Sequence, residues 1–191
     1  MENNKDILDG MQLNSQLSLE EIPDLDLYMD QVIQLFENKF GILKRDENEK
    51  VLTKTMINNY AKGKLFFPIE NKKYSKVHMM LIAMIYQMKG ALSINDVKVT
   101  LDPLNTMITE EGFDLTDLYK RYVQMADESM GQLKDEMSLL SEEVTKHIVA
   151  LDSEKSDYLT QLLLVASFVN MSNYYRRAAE RIVDNIAKEN I

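Results

Sequence analysis

Ten side chains between Thr53 and Tyr74 concentrate the recognition chemistry of this chain: Thr53, Lys54, Thr55, Asn58, Asn59, Lys62, Lys64, Lys72, Lys73 and Tyr74. An asparagine amide can bond the N6/N7 edge of adenine bidentately, a contact giving roughly 1–3 kcal/mol of discrimination, in a groove wide enough for an α-helix. Lysine ammonium groups and hydroxyls bind phosphate oxygens and set register without reading sequence. Asn58 and Asn59 are therefore expected to read bases. Thr53, Lys54, Thr55, Lys62 and Lys64 are expected to hold phosphates, with Lys72, Lys73 and Tyr74 touching the backbone beside a small wing. The competing reading is a lysine-rich surface that is simply solvated.

Charge placement favours the first reading. The 191 residues carry a formal net charge of −9, which by itself opposes attraction to a polyanion. From Lys44 to Lys98, however, 11 Lys and Arg stand against 5 Asp and Glu. That segment is net +6, and the remainder of the chain is net −15. A basic island on an acidic body fits a nucleic-acid-contacting module.

Catalytic constellations are not expected. The chain has no Cys, which removes disulfides, thiolate zinc sites and thiol nucleophiles and fits a reducing compartment. His78 and His147 are far apart and lack ligand spacing; His147 is read as a seam-edge residue and His78 as a helix-surface one. Asp135-Glu136 and Glu142-Glu143 read as solvated faces, because nothing nearby supplies a nucleophile or an oxyanion donor. No Gly-rich phosphate loop occurs. Thirteen methionines suit an adaptable core. Tyr174-Tyr175 with Arg176-Arg177 could meet an anion or a partner helix, and a snorkelling helix surface explains them as well.

The elements that would position these groups follow from periodicity and punctuation. Met1 to Asn14 lacks an apolar run and reads as part of a loose tail, not a signal peptide. Ile22-Pro23-Asp24 reads as a helix entry, followed by Leu27, Tyr28, Val32, Leu35, Phe36 and Phe40 at helical spacing up to Gly41. Thr53 is the expected N-cap of a short helix, Lys54 to Lys62, closed by Gly63. Its Met56, Ile57 and Tyr60 face a core, while Lys54, Thr55, Asn58, Asn59 and Lys62 face outward. Leu65 to Ile69 is extended, and Glu70 to Lys73 is a turn leading to Tyr74, which together would write a wing. Ser75 precedes an apolar helix ending at Gly90. Ser93 and Asp96 form a capping-box variant opening a helix that should stop at Asp102-Pro103. From Leu115 to Leu151 apolar residues form a continuous seam on one or two long helices. Asp152 or Ser153 caps a last helix, from Glu154 to about Ala187. The longest near-apolar run, Leu162 to Val169, is far shorter than a membrane span requires.

The strings Ile22 to Val32 (IPDLDLYMDQV), Thr53 to Tyr60 (TKTMINNY), Pro68 with Lys72 to Lys76 (P…KKYSK) and Leu92 to Lys98 (LSINDVK) resemble, in this order, a bacterial family catalogued as domain of unknown function 1836. The same segment is similar to the reader domain of MerR-type transcription regulators. Thr53 matches the capped recognition helix, Tyr60 its terminal tyrosine, Pro68 the wing, Tyr74-Ser75 the next helix start, and Ser93 to Val97 the last element. It departs from that pattern where Asn58 and Asn59 replace an arginine and a tyrosine, and where an arginine-rich wing is reduced to Lys72 and Lys73.

The expected fold is mainly α: an N-terminal winged helix-turn-helix, MerR-like, followed by a C-terminal helical hairpin or bundle. The expected domains are a flexible tail (1–21), a DNA-binding domain (22–104) and an all-helical dimerisation or effector domain (105–191). The expected function is a cytoplasmic transcriptional regulator that binds double-stranded DNA as a homodimer. It uses no cofactor and no membrane, and an unknown small-molecule or protein effector would act at the C-terminal helices. The alternative is a protein-interaction scaffold whose helix-turn-helix is structural.

Overall fold

The computed structural model describes residues 16–189. The chain is mainly helical. In chain order the elements are β1 (Leu27–Tyr28), α1 (Met29–Phe40), a 3-10 turn (Gly41–Leu43), α2 (Lys54–Lys62), β2 (Lys73–Tyr74), α3 (Lys76–Met88), α4 (Ile94–Glu110), α5 (Leu115–Val149) and α6 (Ser156–Glu189). Two compact units emerge among the described residues, 16–124 together with 179–189, and 125–178. No described helix is long and apolar enough to cross a membrane.

The first unit is built around α3. Its Met79 to Ala83 and Ile85 are essentially without solvent exposure, so this helix must be covered on most of its circumference. On one side Tyr86 meets Phe36 and Phe40 of α1, with ring centroids 6.1 and 4.7 Å away. Elsewhere in the same core lie Ile57 and Tyr60 of α2, Val97 and Leu101 of α4, and Leu115 and Tyr119 of α5. The compact body thus continues past Leu104 into the first turns of α5.

Three local expectations are corrected. Ile22-Pro23-Asp24 does not open a helix. Leu27 and Tyr28 instead pair antiparallel with Tyr74 and Lys73, and α1 starts after Tyr28, whose backbone N–H donates to Gln31 Oε1 at 2.9 Å. Sheet pairing with residues 45 and 47 positions away outweighs the local helical period. The described end of the tail, from Gln16 to Glu21, is anchored: Leu17 is buried, its carbonyl accepts from Tyr119 Oη at 2.6 Å, and Glu21 pairs with Lys39 at 2.8 Å. Residues 1–15 of the expected tail lie outside the described residues. Finally, α4 runs through Pro103 to Glu110. Proline removes one intrahelical N–H, but Leu104 and Ile108 pack on the core and Asn105 bonds a distant segment, and these contacts carry the helix on. Its start is as expected, with Ser93 Oγ accepting from Asp96 N–H and Asp96 Oδ2 from Ser93 N–H, both at 3.1 Å.

The second unit is a helical hairpin. Val144 and Ile148 of α5 are buried with Leu164 of α6, flanked by Leu140, Leu159 and Phe168. The link reverses through Asp152, which adopts φ 47°, and Ser153 Oγ accepts from Lys155 N–H at 3.2 Å just ahead of α6.

Candidate nucleic-acid interface

Helix α2 is two-faced. Ile57 and Tyr60 are buried and Met56 is half-buried, while Lys54, Thr55, Asn58, Asn59 and Lys62 are exposed. Thr53 Oγ1 accepts the Met56 N–H at 3.1 Å, satisfying one of the donors that a helix start leaves open. The hydroxyl hydrogen remains available to an outside acceptor. The other end closes in a Schellman motif: Leu65 N–H donates to Tyr60 O, and Lys64 N–H to Ala61 O, both at 3.0 Å. The left-handed residue is Lys64, with φ 56°, and not Gly63. A Cβ at Gly63 would lie 3.1 Å from Asn59 O, a tight approach that the glycine avoids.

The expected wing takes a different form. Leu65 and Phe66 are buried, so this stretch is a strap through the core and not a projecting strand. Asn105 and His78 fix it. Asn105 Oδ1 accepts the Phe67 N–H at 3.0 Å, while Asn105 Nδ2 donates to Leu65 O at 3.1 Å and Leu101 O at 3.0 Å. His78 Nε2 lies 3.1 Å from Phe67 O, and its Nδ1 accepts the Ser75 N–H at 3.2 Å. These contacts fit the neutral imidazole with its proton on Nε2. His78 is buried against Phe67, with ring centroids 4.1 Å apart, contrary to the expected surface position. Burial pushes its pKa below the ordinary value, partly offset by the Phe67 carbonyl and Asp26.

Beyond the strap, Glu70 to Lys73 form a tight turn. Lys73 N–H donates to Glu70 O at 2.8 Å, and Asn71 and Lys72 both have positive φ, 49° and 60°. This is the primed turn whose twist suits a hairpin. Glycine is usual at its second position, and here the residue is Lys72. β2 then leaves the turn to pair with β1.

The fate of each expected contact residue is therefore specific. Asn58, Asn59, Lys62, Lys64 and Lys72 are exposed, and no described group forms a hydrogen bond or ion pair with their side chains. Lys54 is exposed but ion-paired to Asp30 at 2.7 Å, a surface pair of about 0–1 kcal/mol that a phosphate could displace. Lys73 is half-buried, its ammonium 5.3 Å from the Tyr28 ring centroid. Tyr74 is removed from the contact surface: it is 1% exposed and packs edge-on against Phe66 and His78, because its alternation in β2 turns it to the core. Asn105 and Asp30 carry no expectation from the sequence, and His78 is expected only on a helix surface. Asn105 could have been found, because it shares a helix face with Leu101, Leu104 and Ile108, and a polar residue on an apolar face must find partners.

No curated protein and no solved structure matches the chain. The family model described as domain of unknown function (DUF1836) matches residues 17–122, more than half of the chain and nearly all of the body that carries α2 and the strap. The chain belongs to that family.

Proposed function

We propose that this protein is a cytoplasmic, homodimeric DNA-binding transcriptional regulator that uses α2 as a reader helix and the Asn71–Lys72 turn as a wing tip, in the manner of a MerR-type reader. The observation that carries this reading is the outward row of Thr55, Asn58, Asn59 and Lys62 on α2, with Lys64 and Lys72 exposed in the segments that follow it. Both of these lysines hold left-handed backbone, where glycine would be less strained. Non-glycine residues kept in such conformations concentrate at working sites. Asn58 and Asn59 supply adenine readout and the lysines neutralise phosphate. Effectors act at the long C-terminal helices.

Selection of genomic fragments by the purified chain, followed by titration over a salt series, tests this. Binding should fall steeply with salt, and Lys62→Ala with Lys72→Ala should flatten the log–log slope by about one per lysine. Asn58→Ala should relax base preference at one position while leaving the slope in place. Absence of any retained fragment overturns the reading in favour of a protein-interaction scaffold, a role that the exposed apolar residues of α6 would serve.

A further inference from the structure

Helix α6 has two apolar faces, and its hairpin with α5 covers one. Leu164 is buried in the hairpin with Leu159 and Phe168 beside it. Roughly a third of a turn away, Tyr158, Leu162, Val165 and Val169 follow one another at intervals of four, three and four residues. They are 61, 50, 61 and 54% exposed. This is the heptad spacing of a helix that seats against another helix.

Charge around the stripe identifies the partner. From Tyr158 to Tyr175, 18 consecutive residues contain no Asp, Glu, Lys, Arg or His, in a chain that is 28% charged. This uncharged tract is about 27 Å of helix. Asp152 to Asp157 before it carry net −2, and Arg176 to Arg181 after it carry net +2. The helix dipole accounts for Asp157 in the first turn. It does not account for the exposed Arg177, which lies more than three turns before the end of α6 at Glu189, next to Arg176, whose guanidinium donates to Asn173 Oδ1. A parallel pair of such helices would set like charges side by side at both ends. An antiparallel pair sets each acidic end against a basic one.

We infer that the exposed stripe of α6 is a self-complementary interface that joins two copies of this chain antiparallel about a two-fold axis near Ala166. Leu162 of one copy then lies close to Val169 of the other, and the acidic end of each stripe lies alongside the basic end of its partner's. A two-fold interface must use the same patch on both subunits, and this patch satisfies that requirement by itself. The inference deepens the homodimer part of the proposed function and needs no assumption about DNA.

Because the chain lacks cysteine, single-cysteine variants of the full protein report orientation. Ala166→Cys should cross-link to itself under mild oxidation, whereas Tyr158→Cys should not, its two copies being held at opposite ends. Sedimentation should show a wild-type dimer, and Val165→Asp, which brings two carboxylates together near the axis, should raise its dissociation constant at least tenfold with helical circular dichroism retained. Self-linking of Tyr158→Cys as efficient as that of Ala166→Cys, a wild-type monomer at tens of micromolar, or a Val165→Asp dimer of unchanged strength each overturns the inference. A monomer that still binds duplex removes the self-pairing alone, and a dimer that binds none removes the DNA reading alone.

Discussion

Replacing Asn105 by alanine should loosen the strap between α2 and the turn without touching a charged or exposed group. The side chain makes three hydrogen bonds, two of them to backbone of Leu65 and Phe67. The third is to Leu101 O, one turn back in its own helix, and its loss matters little. Phe67 N–H is part-buried and would lose its acceptor, at about 1–3 kcal/mol, and Leu65 O, in a segment with no exposed side chain before Pro68, would lose a donor at a similar scale. Alanine's better helix propensity returns about 0.5 kcal/mol. The net expectation is a loss of roughly 1.5–5.5 kcal/mol, read as a lowered urea midpoint with unchanged slope. Amide exchange gives a local reading: the Phe67 amide should exchange faster in the variant even under conditions where the amides of α3 remain protected. Asn105→Asp keeps the acceptor for Phe67 but turns a charge toward the Leu65 carbonyl, so it should be no better than alanine at neutral pH. A loss below about 0.5 kcal/mol with Phe67 protection intact would refute the strap argument.

Three further outcomes follow from single residues. Tyr60 Oη is buried without a described partner, and burial raises its pKa to about 12, so Tyr60→Phe should leave thermal stability unchanged or raise it by up to about 1 kcal/mol; a clear drop would mean the hydroxyl is engaged. Lys64→Gly should stabilise the chain by roughly 0.5–1 kcal/mol, the left-handed strain relieved less the added chain entropy, while weakening duplex binding, and an equal loss of both would contradict the Schellman assignment. His78 has a lowered pKa in the folded chain, so its contribution to stability is present above the ordinary histidine value near 6.5 and is lost as pH falls through the folded value. Urea midpoints of the wild type should therefore fall more steeply below pH 6.5 than those of His78→Asn, and parallel curves would remove His78 as the cause.

What the sequence alone determined here is whatever depends on near neighbours. The two faces of α2, the Thr53 cap, the box at Ser93 and the long C-terminal helices are all set within a turn or two of chain, where spacing and capping chemistry are sufficient. The exposed set of amides and lysines was legible for the same reason. Tertiary structure decided the rest: that Leu27 and Tyr28 are strand, that Pro103 does not end α4, that Leu65 and Phe66 run through the core, and that Tyr74 points inward. Each of these depends on a partner 38 or more residues away, such as Asn105 for Phe67 or Tyr74 for Leu27. Local propensity differs between such alternatives by about 1 kcal/mol or less, except at proline, whereas one buried hydrogen bond or one buried aromatic ring outweighs it.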